Sequence, residues 1–318
     1  MNKPQKNTIY FVLILLCGCV SLVPIKVGPA PDLKIEPTVE RVARGEYLAN
    51  AVTGCFDCHS EHKWDNFAIP IVEGTKGKGG EYFGEELGVP GTICLSNITP
   101  YGLGEWTDGE IFRAIVSGVN KNGDAIFPMM PYMSYATMDV EDIYSIIAYL
   151  RTLKSIPSTT GKSKLKFPLP YIIRTMPKEY VSQTKPDPSN EVEYGKYLVG
   201  IAGCVGCHTP MEGHNPIKGM EFAGGSDHPM PGGALVRSSN LTPDKETGIG
   251  EWERDDFIDR FKEFATPDAK NIPVVDNKNT TMGWTSYAEM TEEDLGAIYS
   301  YLMSLEPINN AVELYPLD

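Results

Sequence analysis

Positive charge is in short supply in this sequence. Twenty-eight Lys and Arg face 42 Asp and Glu, a formal net charge of -14. A general nucleic-acid binder needs a basic surface to neutralise phosphate, so that class is set aside. Long apolar runs are missing too. The clearest one, Ile9 to Leu16, is too short to span a bilayer as a helix. Period-two strand patterns are scarce, and the 318 residues include only five histidines. Apolar residues nevertheless make up 42% of the chain, ample for the packed cores of two ordinary domains.

The short apolar run has a context. Lys3 and Lys6 precede it and Leu16-Cys17-Gly18-Cys19 ends it, the order of an export signal. Leu-x-Gly-Cys resembles a bacterial lipoprotein cleavage box, with Cys19 as the lipidated first residue. Gly18 favours Cys19 over Cys17, which bulky Leu16 precedes. An ordinary signal peptide and an uncleaved anchor from Ile9 to Val23 are the alternatives, the second weakened by Pro24. All three export the body, to the periplasmic side of a bacterial cell envelope, and the first tethers it to the membrane at Cys19.

Five further cysteines remain: Cys55, Cys58, Cys94, Cys204 and Cys207. An odd number spoils a simple disulfide framework. Four of them lie in a longer repeat. "RGEYLANAVTGCFDCHS" (44–60) mirrors "YGKYLVGIAGCVGCHTP" (194–210), and "SNITP" (96–100) mirrors "SNLTP" (239–243). "GEW" recurs at 104–106 and 250–252, and "PYMSYATMDVEDIYSIIAYL" (131–150) mirrors "GWTSYAEMTEEDLGAIYSYL" (283–302). Order is kept while the offset drifts between 143 and 152, as loop insertions would make it. The chain therefore divides into a signal and tether (1–36), a first copy (37–156), a connector (157–188), a second copy (189–308) and a tail (309–318). The connector is rich in proline and lysine, and its apolar "FPLPYIIRTM" is expected to lie against a domain.

Each copy reads as helical. Ile143, Ile146, Ile147 and Leu150 make one apolar stripe on a helix that Asp139 caps, and Thr291 with Asp294 forms a capping box in the second copy. Gly45 and Gly195 lie within the helix preceding each cysteine pair. Glycine there costs about 1 kcal/mol relative to alanine, so close approach of another helix is expected, with a frayed first turn as the alternative.

Cys55-Phe56-Asp57-Cys58-His59 and Cys204-Val205-Gly206-Cys207-His208 both match C-x-x-C-H, the attachment signature of c-type haem. The spacing lets two thiols on one helical turn form thioethers to the two vinyl groups, and the adjacent histidine reaches the iron. Two matches at equivalent places exclude coincidence. Competing readings fit less well. An all-cysteine zinc site leaves both histidines unexplained, a thioredoxin-like motif lacks its βαβ context, and structural disulfides ignore the repeat.

With these motifs in view, the chain resembles the two-haem cytochrome c proteins, in particular the haem subunits serving membrane-bound alcohol and gluconate dehydrogenases. The resemblance covers residues 37–308 and rests on G-x-Y-L, C-x-x-C-H, Ser-Asn-Ile/Leu-Thr-Pro, Gly-x-Trp and aromatic-x-x-Tyr-x-x-Met. It implies an all-α fold of two tandem cytochrome c domains. Each would be a few helices around a covalently bound haem c, with first and last helices crossing. Gly45 would then face the Tyr149–Leu150 end of the last helix, and Gly195 the Tyr301–Leu302 end.

The iron's sixth ligand is sought among Met129, Met130, Met133 and Met138. The repeat is the filter: Met129 and Met133 align with Thr281 and Thr285, while Met130 aligns with Met282 and Met138 with Met290. The resemblance selects Met138 and Met290, which abut the final helix. Simple one-haem cytochromes, whose ligand lies further ahead of that helix, favour Met130 and Met282. His/Met ligation raises the reduction potential relative to two histidines. His62 is too close to His59 to reach the opposite face, and His214 and His228 exist only in copy two.

Supporting roles are assigned to residues around these. Trp106 and Trp252 are candidate propionate donors or core aromatics, and Asn97 and Asn240 brace a loop or make a turn. Arg237 is a propionate partner without a counterpart, since Cys94, a small buried residue, stands in its place. Pro70, with Pro216 as a rough match, is expected to offer its carbonyl to the proximal histidine. Electron transfer between a dehydrogenase or quinol oxidase and a terminal acceptor is the leading function, and the acidic surface suits transient docking. A two-haem peroxidase or thiosulfate dehydrogenase needs a displaceable sixth ligand, against which a methionine in both copies argues. A haem-based sensor would need a signalling domain, and none follows copy two.

Overall fold

The computed structural model describes residues 25–213 and 215–316. The export signal, Cys17, Cys19 and His214 lie outside the described residues. None of the described helices is long and apolar enough to cross a membrane.

Each half is built on a pair of crossing helices. In the first, α1 (Val39–Tyr47) starts at Thr38, whose hydroxyl accepts from the Arg41 N–H, and runs into a π-turn at Leu48–Val52. A short α2 (Pro100–Leu103) leads to α3 (Asp108–Ser117), whose Thr107 and Glu110 close a reciprocal capping box. Then α4 (Tyr132–Tyr135) leads into α5 (Val140–Thr152), which Asp139 caps through the N–H groups of Glu141 and Asp142. The connector holds a short α6 (Leu169–Ile172), continued by a 3-10 turn at Ile173–Thr175. The second half repeats the plan with α7 (Glu191–Ile201), α8 (Cys204–Cys207), α9 (Arg254–Lys262), α10 (Trp284–Tyr287) and α11 (Glu292–Met303).

Glycine sets both crossings. A Cβ on Gly45 would lie 1.9 Å from the Ser145 carbonyl oxygen of α5 and 2.9 Å from Tyr149 Cβ. On Gly195 it would lie 1.9 Å from the Ala297 oxygen of α11 and 3.0 Å from Tyr301 Cβ. Backbone thus meets backbone near the middle of the last helix, at Ser145 and Ala297. This is one turn earlier than the expected Tyr149–Leu150 and Tyr301–Leu302, of which Tyr149 and Tyr301 touch the edge of the contact. The apolar stripe of Ile143, Ile146, Ile147 and Leu150 is buried, and one continuous core runs through both halves from Leu48 to Leu302.

The fold is mainly helical, but the all-α expectation needs correcting. Short antiparallel ladders form where glycine-rich loops fold back. Strands β1 (Tyr82–Phe83), β2 (Gly91–Cys94) and β3 (Lys164–Leu165) form one sheet in that order, with Tyr82 opposite Cys94 and Gly91 opposite Leu165. In the second half β4 (Met211–Glu212) pairs with β5 (Asn215–Pro216), and β6 (Asp227–Pro229) with β7 (Leu235–Arg237). These loops carry no period-two pattern because each strand is two to four residues long. The connector docks only in part. Its β3 joins the sheet, Leu165 packs on Val89, Ile93 and Leu95, and Ile173 is buried, but Phe167 is 82% exposed.

Candidate functional site: two histidine clamps and a cavity

The two C-x-x-C-H stretches end alike. The Nδ1–H of His59 donates to the carbonyl of Ser96 at 2.7 Å, and that of His208 to the carbonyl of Ser239 at 2.8 Å. Ser96 and Ser239 open the repeated Ser-Asn-Ile/Leu-Thr-Pro loops. A carbonyl can only accept, so Nδ1 carries the proton and the Nε2 lone pair is left for a metal. Burial lowers both imidazoles' affinity for a second proton, that of His208 to a pKa of about 4. Each ring is therefore held neutral, oriented and ready to coordinate.

The histidine's own carbonyl is fixed as well. His59 O accepts from the Gly79 N–H at 2.9 Å, and His208 O from the Gly224 N–H at 2.8 Å. Both glycines have positive φ, 59° and 73°, and an added Cβ would sit 2.4 Å from the carbonyl carbon of Ser96 or Ser239. Only glycine lets that loop lie so near the histidine. The expected clamp from Pro70 and Pro216 is thereby corrected. Pro70 O accepts from Lys63 N–H, and Pro216 pairs with Met211. Counting residues onward from the histidine finds a nearby proline, whereas the acceptor lies 37 residues away on another loop.

The methionine segments are tied to the entrance of the same motifs. Tyr135 donates its hydroxyl to Thr53 O at 2.7 Å, and Tyr287 to Ala202 O at 3.0 Å. Those acceptors stand two residues ahead of Cys55 and of Cys204. Burial, and then the neighbouring thiols, raise both phenols well above their ordinary pKa. Three residues beyond each tyrosine, Met138 and Met290 have essentially no exposed surface. Their carbonyls accept from Tyr180 Oη at 2.9 Å and from Lys262 Nζ respectively. Met130 and Met282 are only partly buried, Met129 packs in the satellite cluster of Val89, Ile93 and Leu95, and Met133 is half exposed rather than packed.

In the second half these residues surround a cavity of about 420 Å³. Cys204, Cys207, His208, Met282, Tyr287 and Met290 line it, along with His228, Arg237, Asn240 and Trp252. Leu314 and Tyr315 of the tail close one side, and Phe67 of the first half another. The first motif lies alongside: Asp57 accepts from Ser286 Oγ at 2.5 Å, within the segment that carries Met290. Burial raises the Asp57 carboxyl to about 6, against the opposing pull of Ser286.

The sequence is 30% identical over 87% of its length to the cytochrome c subunit of the quinone alcohol dehydrogenase of Gluconacetobacter polyoxogenes, covering 58% of that protein. It is 28% identical over 92% of its length to the gluconate 2-dehydrogenase cytochrome c subunit of Pantoea cypripedii, covering 64% of it. The chain thus spans about three-fifths of the length of these curated relatives. A diheme cytochrome c-type protein of Cereibacter sphaeroides is 27% identical over 93% of this chain and 96% of that one. No family model matches the sequence. The chain is a homologue of cytochrome c subunits.

The residues present suit a haem c. Cys55, Cys58, Cys204 and Cys207 are free thiols, and burial raises Cys55 to a pKa of about 11 and Cys58 and Cys204 to about 12. Among the described residues no cluster of His, Cys, Asp and Glu is arranged to hold a metal ion by itself. An apolar cavity with two thiols and a clamped imidazole on its wall matches a flat, largely apolar cofactor.

The remaining residues sort by their contacts. Both nitrogens of His62 are engaged, with Glu81 at 2.5 Å and the Asp57 carbonyl at 2.8 Å. His228 reaches the Cys207 carbonyl at 3.4 Å. Arg237 lines the cavity while paired with Asp227 at 2.8 Å. Trp252 lines the cavity, and Trp106 packs on the core. Cys94 is a buried small residue that accepts from the Gly161 N–H. Asn97 and Asn240 make the expected turn, accepting from the N–H and hydroxyl of Thr99 and Thr242. Each also donates to the carbonyl of the segment after its last helix, Ile156 at 2.8 Å and Ile308 at 2.7 Å.

Proposed function

We propose that the chain is an electron-transfer subunit carrying two c-type haems, one per half. Cys55 and Cys58 attach the first and Cys204 and Cys207 the second; His59 and His208 are the proximal ligands, Met138 and Met290 the distal ones. Bound haem iron supplies reversible one-electron chemistry. The chain's own residues do the rest. Ser96 and Ser239 fix the imidazole tautomer and angle, and a soft thioether favours the reduced metal and a higher potential. The observation that carries the reading is the histidine clamp, repeated in both halves with the same loop and the same glycine.

The relatives' names support a dehydrogenase as partner; we assign it the role of electron donor, with a terminal acceptor receiving the electrons. The net charge of -14 suits fast, salt-sensitive docking on basic patches. We place the protein on the periplasmic side of a bacterial envelope, lipid-anchored at Cys19.

The test is the mass and spectrum of the exported protein. Two haems should add to the polypeptide mass, one of them lost in Cys55→Ala/Cys58→Ala and the other in Cys204→Ala/Cys207→Ala. The oxidised protein should show the weak red band of methionine sulfur on ferric iron. Met138→Leu should remove the first half's share, and Met130→Leu should not. Absence of that band sinks the ligand assignment, and rapid turnover of hydrogen peroxide with an artificial donor moves the protein among the enzymes.

A further inference from the structure

Each half lends the other a tyrosine. Tyr47, the last residue of α1, and Tyr197, in α7, are equivalent in the repeated Gly-x-Tyr-Leu. The Tyr47 ring lies under Arg44 of its own half, but its hydroxyl bonds across to the other. Tyr47 donates its hydroxyl to Asp294 Oδ2 at 2.6 Å and accepts from the Thr291 N–H at 3.2 Å. Tyr197 does the converse, donating to Asp142 Oδ2 at 2.8 Å and accepting from the Asp139 N–H at 3.2 Å.

The acceptors and donors belong to the starts of α5 and α11. Asp139 and Thr291 are the N-caps, and Asp142 and Asp294 stand three residues on. In a capping box the side chain at that third position accepts from the N-cap N–H directly. Here a tyrosine oxygen from the opposite half is inserted between the two groups. Asp139, Asp142 and Asp294 are buried while Thr291 is exposed, so Tyr197 satisfies two buried residues and Tyr47 one.

The N-cap is also the residue that follows each candidate methionine. Met138 precedes Asp139 and Met290 precedes Thr291. Any shift of the N-cap peptide therefore carries the methionine with it, and both methionines are fully buried, Met290 on the wall of the cavity. We propose that Tyr47 is a positioning residue for Met290 and Tyr197 one for Met138, so that each half holds the distal ligand of the other. This rests on the methionine ligation proposed above.

The experiment uses the haem-loaded full chain with Tyr47→Phe and Tyr197→Phe, which keep the ring and remove only the hydroxyl. The readout is the haem-shifted methyl resonance of each bound methionine in the reduced protein, assigned with Met138→Leu and Met290→Leu, together with the two reduction potentials. Tyr47→Phe should shift or broaden the Met290 signal and lower the second haem's potential, leaving Met138 unchanged; Tyr197→Phe should do the reverse. Perturbation confined to each tyrosine's own half, spread equally over both, or absent overturns the crossed arrangement. Wild-type protein lacking both methionine signals instead removes the ligand assignment on which it rests.

Discussion

Ser96 presents its carbonyl oxygen to His59 Nδ1 at 2.7 Å, and the same loop is pressed against Gly79 from the other side. The histidine's angle is thus set by a sandwich of main chain, Gly79 holding His59 O and Ser96 holding the ring. The second half repeats it with Gly224 and Ser239.

Substituting either glycine should therefore disable one half selectively. Gly79→Ala and Gly224→Ala each add a left-handed alanine and a contact of 2.4 Å with a peptide that has nowhere to retreat. Strain and overpacking together should cost about 3 kcal/mol. Denaturant melts should show the loss, and, with the haems and ligands proposed above, the affected histidine should be the one displaced most readily by an added ligand such as imidazole.

The helix-crossing glycines carry a prediction of sign. In an exposed helix Gly→Ala stabilises by about 1 kcal/mol. At Gly45 and Gly195 the new methyl would stand 1.9 Å from a carbonyl oxygen of the partner helix. We expect destabilisation by roughly 2–3 kcal/mol instead, since α1 and α5, or α7 and α11, must separate. Thermal midpoints of the two single variants check this, and a rise in either midpoint contradicts the close crossing.

Much of this was legible in the sequence because the chain states each element twice. C-x-x-C-H, the mid-helix glycines and the two methionine pairs, Met130 with Met282 and Met138 with Met290, stand out once the copies are aligned. The histidine's acceptor was not legible, because a backbone carbonyl leaves no mark on residue type and Ser96 is fixed only by where the loop lands. The crossed tyrosines escaped for a different reason. Gly-x-Tyr-Leu is visible in both copies, but its partners depend on how the halves pack, which no internal periodicity encodes. The exposed Phe167 defeats the rule that apolar connectors lie down on a core.

Asn97 and Asn240 should tolerate no replacement. Each uses its oxygen for two bonds to Thr99 or Thr242 and its nitrogen for the carbonyl of Ile156 or Ile308. Alanine leaves those buried partners unsatisfied, a loss of about 3 kcal/mol. Aspartate keeps the acceptor but turns a carboxylate toward a carbonyl, so it should fail to rescue stability at neutral pH. Equal denaturation midpoints for Asn97→Asp and the wild type would refute this double role.

The pH dependence of stability should run partly through Asp142. Burial opposes its charge, but Arg44 at 2.8 Å and Lys185 at 2.9 Å override that and hold its carboxyl below the usual range. The unfolded chain, with a pKa of about 3.9 there, takes up the proton first as pH falls. Stability from this group is therefore complete above about pH 5 and is lost progressively below pH 4 as the folded carboxylate is protonated in turn. Asp142→Asn should cost about 3 kcal/mol at pH 7, because Arg44 loses its buried partner and Tyr197 its charged acceptor. Between pH 5 and pH 3 the wild type should then lose more stability than the variant, narrowing the gap between them. Parallel stability curves across that range would show that Asp142 keeps the same proton affinity folded and unfolded, and that the ion pairs to Arg44 and Lys185 do not set it.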